Sequence, residues 1–135
     1  MTILCLDTCA YTHFKAGEPN VLAVLSMARK VLVPVTVLGE LRAGFKLGSR
    51  LQKNEAELSA FLESPVVHIA LIDEEVSFNY AEIFSSLRKK GTPVPTNDIW
   101  ISASALKEGA TVLSFDRHFE HIDSVGKIIL EKDAT

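Results

Sequence analysis

The chain has 135 residues, 47% hydrophobic and 23% charged, with a formal net charge of −3. That suits one globular domain over residues 1–135 with a sizeable core, and no low-complexity segment or long linker divides it. No apolar run approaches the roughly 18 residues of a membrane span, and Ile3-Leu4-Cys5-Leu6 is too short and lacks the basic flank of a signal peptide, so no membrane association and a cytoplasmic location are expected.

Strand and helix patterns alternate along the chain. Thr2 to Leu6 reads as a buried strand and ends at Asp7. A helix is expected from Ala10 to about Ala16, stopped by Gly17 and restarted near Pro19, which suits a first helical turn. Val21, Leu22, Leu25 and Ala28 then recur near helical spacing, predicting a helix over Asn20 to Lys30. Val31 to Val33 reads as a second strand. Thr36 is the expected N-cap of a helix over Val37 to Leu47, because its hydroxyl can accept a backbone hydrogen bond. Gly48-Ser49 breaks that helix, and Leu51 to Leu62 forms the next. Val66 to Ile69 reads as a third strand, and Asp73 as the cap of a long helix from Glu74 to Lys90. Gly91 to Thr96 holds two prolines and reads as a loop before a helix over Asn97 to Glu108. Thr111 to Ser114 reads as a fourth strand and Lys127 to Leu130 as a fifth. Such alternation predicts an α/β fold, a central parallel sheet of four to five short strands between layers of helices.

Asp7, Asp98 and Asp116 fall where strands end or helices begin, and Glu40 lies early in a helix. In open parallel sheets the carboxyl ends of the strands converge on one crevice. Four carboxylates gathered there repel one another, and a hard divalent cation with a preference for oxygen, Mg²⁺ or Mn²⁺, relieves the repulsion. Acids engaged by a cation are also not free surface charge, so the negative total does not by itself exclude a nucleic-acid substrate.

Each acid alone has a structural explanation. Asp98 can cap its helix, Asp116 can make a turn, and Glu40 can face solvent. It is the set that points to a site. Leu6-Asp7-Thr8, Leu38-Gly39-Glu40-Leu41-Arg42, Thr96-Asn97-Asp98-Ile99-Trp100-Ile101-Ser102-Ala103 and Ser114-Phe115-Asp116-Arg117-His118-Phe119 occur in order across nearly the whole chain. Together they resemble the PIN-domain family, in particular the VapC-type toxins of bacterial toxin–antitoxin modules. The resemblance implies a PIN-like fold and an endoribonuclease dependent on Mg²⁺ or Mn²⁺, with Asp7, Glu40, Asp98 and Asp116 as its catalytic, metal-holding acids. It also implies an RNA substrate, a cognate antitoxin and a homodimer. Thr8 and Asn97 would support the acids from behind. Beside the resemblance, Arg42 and Arg117 are themselves candidates to meet RNA phosphates, Arg117 alternatively pairing with a nearby acid.

Other residues carry weaker expectations. Arg42, Lys46, Arg50 and Lys53 recur at three- and four-residue steps and form either a phosphate-binding stripe or a solvated face. His118 and His121 lack the paired spacing of structural zinc ligands and belong at the surface or behind the acids. Cys5 and Cys9 read as inert thiols, and Trp100 and Phe119 as core. Tyr11, Phe14, Val21, Leu22, Leu25 and the Leu51–Leu62 helix either line an antitoxin groove, as the resemblance implies, or face the chain's own core. Two rival functions remain: an α/β phosphohydrolase, weakened because Cys9 stands where that motif needs a second Asp, and a PIN-like binding module without activity.

Overall fold

A computed structural model of the chain describes residues 2–132. β1 (Thr2–Leu6) runs through α1 (Thr8–Lys15) and α2 (Pro19–Ser26) to β2 (Ala28–Pro34). From there α3 (Val35–Leu47) and α4 (Leu51–Leu62) lead to β3 (Val67–Ala70). α5 (Glu74–Lys90) and α6 (Thr96–Glu108) precede β4 (Thr111–Ser114), and a 3₁₀ turn over Arg117–His121 precedes β5 (Lys127–Ile129). The strands form one sheet in the order β3-β2-β1-β4-β5, with every neighbouring pair parallel.

Parallel neighbours need crossover connections, which is why pairs of helices separate the first four strands. Successive side chains on a strand point to opposite faces. Cys5 points its thiol at the Ile101 carbonyl of α6, at 4.0 Å. Leu4 and Leu6 point the other way, where Leu4 lies beside Val24 of α2. All three are fully buried, so both faces of the central strand are covered by helices, as a layered α/β sheet requires. Phe119, in the 3₁₀ turn, is also wholly buried, as expected of a core aromatic.

Several boundaries differ from the sequence expectation, each for a physical reason. The first helix starts at Thr8 and not at Ala10, because Asp7 takes the N-cap: its carboxylate accepts from the Ala10 amide at 2.7 Å. The second helix stops at Ser26 and does not reach Lys30. Residues 28–30 extend β2 beyond the expected Val31–Val33, with Ala28 paired to Thr2 and Lys30 to Ile3. β4 begins its pairing with β1 only at Leu4, so Thr2 and Ile3 have β2 as their ladder partner, and tertiary pairing overrides local helix preference.

Thr36 is not an N-cap. Pro34 occupies that position as the last residue of β2, the helix begins at Val35, and the Thr36 hydroxyl is buried without a partner. The pairing of Pro34 with Ala70 carries the ladder to the helix start and leaves no loop in which a capping side chain could turn back. β3 lies one residue later than expected, Val67–Ala70 in place of Val66–Ile69. α6 starts at Thr96 and β5 ends at Ile129, each a one-residue shift. Asp73 does cap α5, accepting from the Val76 amide at 3.0 Å.

Candidate metal centre

The chain runs from β1 to β2 and β3 on one side, then returns to place β4 against the other side of β1. That reversal opens a crevice at the carboxyl ends of β1 and β4, the place where α/β sheets bind ligands. Leu6 pairs with Leu113, so the next residues along, Asp7 and Ser114, come side by side. The Ser114 hydroxyl donates to Asp7 Oδ2 and accepts the Asp116 amide at 2.8 Å. One buried serine thus fixes two of the four acids. Nothing in the sequence singled it out beyond its place at the end of an apolar strand.

Asp7 is only 5% exposed. Burial raises its pKa, the donors Ser114 and Ala10 oppose that, and the carboxylates of Asp116 and Glu40 raise it further. On the neighbouring element, Thr8 donates its hydroxyl to Glu40 Oε1 at 2.8 Å. Thr8 therefore orients Glu40, a contact that ties the start of α1 to the first half of α3.

Asp98 sits in the first turn of α6. Burial, followed by the charges of Asp116 and Asp7, pushes its pKa up to about 6 against a weaker opposing pull from His118. Its Oδ2 is buried and has no hydrogen-bond partner. The Asp116 carboxylate caps the 3₁₀ turn by accepting from the His118 amide at 2.9 Å. His118 Nδ1 then lies 3.0 Å from Asp116 Oδ1 and 3.5 Å from Asp98 Oδ2. Donor atoms of Asp98, Asp116 and His118 all lie within 4.8 Å of one another. The fold therefore gathers the four acids into one electrostatically coupled group and adds a histidine at its rim.

This group suits a divalent cation. A buried carboxylate oxygen left without a donor is costly, and a cation would satisfy it. Among the described residues, no Lys or Arg pairs with any of the four acids. Arg42 pairs with Glu55, Nε to Oε1 at 3.1 Å. Arg117 bridges Glu120 at 2.9 Å and Glu131 at 3.1 Å. Both arginines are thus engaged with other acids, while Asn97 is exposed beside Asp98 in the first turn of α6.

The basic stripe is partly neutralised. Arg42 meets Glu55, Lys53 approaches Glu57 at 3.8 Å, and Lys46 and Arg50 are exposed. His121 is exposed, and its carbonyl accepts from Lys90. Trp100 is half-buried against the core, as expected, and stacks on Tyr80 of α5 with ring centroids 4.0 Å apart. Cys5 and Cys9 are free, and burial raises both thiols, which fits inert side chains. Tyr11 and Val21 face the core, while Phe14 and Leu25 are half-buried and Leu22 is exposed.

The sequence profile of the PIN domain matches residues 4–125. Ribonuclease VapC4 of Mycobacterium tuberculosis is 34% identical over 98 residues, 73% of this chain and 75% of that one. A crystal structure of VapBC2 from Rickettsia felis, bound to a promoter DNA fragment, shares the fold with a TM-score of 0.83 at 24% identity, covering 96% of this chain and all of the other (100%). VapBC-5 of Mycobacterium tuberculosis, a member of the VapBC family of toxin–antitoxin systems, aligns with a TM-score of 0.72 at 28% identity over 96% of this chain and 100% of the other.

Proposed function

The chain belongs to the PIN-domain family, among the VapC ribonucleases, and from that membership we propose that it is a divalent-cation-dependent endoribonuclease serving as the toxin of a toxin–antitoxin pair. Residues 1–135 would form its single catalytic domain. The observation that carries the reading is the coupled group of Asp7, Glu40, Asp98 and Asp116 at the sheet's switch point, with Asp98 Oδ2 buried and unpartnered.

Asp7, Asp98, Asp116 and Glu40 would hold Mg²⁺ or Mn²⁺. When bound, such a cation makes water more acidic and offsets negative charge on phosphate oxygens. The protein's part is positional. Ser114 and the Ala10 amide aim the buried Asp7 and oppose the rise that burial gives its pKa, and Thr8 holds one oxygen of Glu40. Arg117 is exposed and bridges two surface acids, so it can exchange them for RNA phosphates at little cost, as can Arg42. Asn97, exposed at the start of α6, would contact substrate or a ligand water. None of these roles requires a ribose 2′-hydroxyl as nucleophile, so the expected products carry 5′-phosphate and 3′-hydroxyl ends.

The antitoxin would engage the flank of α1, α3 and α4. There a cleft of about 200 Å³ is lined by Tyr11, Thr12, Lys15, Leu41, Phe45 and Glu57. It lies on the helices that carry Thr8 and Glu40, so an occupant there can reach toward the acids. The cytoplasm, where RNA is met, is the proposed location, and no helix among the described residues is long and apolar enough to cross a membrane. A homodimer is proposed from family membership, and light scattering of the purified chain tests it.

Purified chain incubated with structured RNA gives the direct test. Cleavage at discrete sites with Mg²⁺ or Mn²⁺, abolished by chelation and lost in Asp98→Asn, is expected. Equal cleavage by the variant, or none by wild type on any cellular RNA pool, would overturn the reading.

A further inference from the structure

We propose that His118 is a direct ligand of the cation held by Asp98 and Asp116, and that its nitrogen biases the centre toward Mn²⁺ over Mg²⁺. This rests on the reading of the four acids as a metal centre. It adds a nitrogen donor to an otherwise all-oxygen site.

The geometry supports it in three ways. First, the ring nitrogen is placed like a ligand. Adjacent ligands of an octahedral ion with bonds of roughly 2.1 Å are separated by about 3 Å. Nδ1 lies 3.0 Å from Asp116 Oδ1 and 3.5 Å from Asp98 Oδ2, near that spacing on both sides. Second, the ring is held there by the cluster itself. Asp116 accepts the His118 amide at 2.9 Å, and this bond starts the 3₁₀ turn that presents the ring. Third, Asp98 Oδ2 has no hydrogen bond in this arrangement, although the imidazole is its nearest charged or polar neighbour among the ion-pair contacts described. A cation between the two would bond to both, whereas the ring alone leaves the oxygen short of a donor.

The preference follows from ligand chemistry. Mg²⁺ demands near-ideal oxygen geometry and gives up water reluctantly. Imidazole suits first-row transition ions better than it suits Mg²⁺, and Mn²⁺, although it takes mainly oxygen ligands, is the transition ion of the two. His118 would therefore contribute more to Mn²⁺ binding than to Mg²⁺ binding. A cation bound through Nδ1 would use that nitrogen's lone pair, with the ring N–H at Nε2.

Pulsed EPR on the Mn²⁺-loaded full chain, paired with calorimetric titration, tests this. Wild type is expected to show imidazole-type ¹⁴N modulation of the Mn²⁺ signal, and His118→Gln to lose it. His13→Gln is the control, because His13 stacks on Phe115 beside the site, centroids 3.9 Å apart, without contacting the acids in the described bonds. It should keep the modulation. His118→Gln should also weaken Mn²⁺ about tenfold while changing Mg²⁺ by less than about threefold. Mn²⁺ bound without imidazole modulation, or modulation unchanged in His118→Gln, would overturn the ligand role and leave the metal centre standing. Failure of folded wild type to bind Mn²⁺ at all would overturn the metal centre itself.

Discussion

Asp7 stays in place as a buried carboxylate because Ser114 and the Ala10 amide both donate to it. Ser114→Ala removes a hydrogen bond to a charged group and an acceptor for the Asp116 amide, so a loss of about 1.5–3 kcal/mol is expected in denaturant titration. It also removes an influence that lowers the Asp7 pKa, so the carboxylate should protonate at higher pH in the variant. Asp98 offers a sharper pH test. Its folded pKa is about 6 against an ordinary 3.8, so between those values the folded chain binds more proton than the unfolded one. Asp98's contribution to metal-free stability is therefore fully present below about pH 4 and is lost as pH rises through about 6. In metal-free protein, Asp98→Asn should flatten this part of the melting-temperature profile, and an unchanged slope would contradict the burial argument. Asp7, Asp98 and Asp116 were legible as candidates because each closes or opens an apolar run, and Glu40 only through its place in the set. Ser114 was not, because a serine at a strand end is ordinary until the β1–β4 register places it against Asp7. His118 lay beside Asp116 in sequence, but its approach to Asp98 depends on the 3₁₀ turn.

The helix ends differ in how they are secured, and that separates two substitutions that look alike in sequence. Asp73 caps α5 through the Val76 amide, so Asp73→Ala should cost about 1 kcal/mol. Thr36 makes no capping bond, and Thr36→Ala should change stability by less than about 0.5 kcal/mol. Thermal melts of the two variants side by side check the contrast. In α6, Ser102 and Ser104 are buried with unpartnered hydroxyls. Ser102→Ala removes an unsatisfied polar group and improves helix propensity, so a gain of about 0.5–1 kcal/mol is expected, read as a raised melting temperature. Helices with strong periodicity and clear stops, such as α4 and α5, were legible to the residue. Ala28 to Lys30 were not, because their strand state depends on pairing with Thr2 and Ile3, more than twenty residues away.

At the scale of the whole molecule, the strand order β3-β2-β1-β4-β5 assembles the site. Asp7 and Asp116 come from just after β1 and β4, and Glu40 and Asp98 from α3 and α6, elements distant in sequence that meet at one reversal of strand order. Alternating strands and helices announced the parallel sheet, while the strand order follows from packing that no local pattern reports. Because the acids repel one another without a cation, ion binding should stabilise the folded state. With Mn²⁺ at about 100 times its pH 7 dissociation constant, a gain of about 2.7 kcal/mol is expected at pH 7, reversed by chelation and smaller at pH 5 at the same Mn²⁺ concentration. The most direct test of the ribonuclease reading is made in cells. Wild type and Asp7→Asn are expressed under induction, growth is followed, and cellular RNA is sequenced for new 5′-phosphate ends. Growth arrest with discrete new ends in wild type and not in the variant is the expected result. Equal growth and unchanged RNA ends in both, with wild type folded and abundant, would contradict the assignment of the four acids to RNA cleavage.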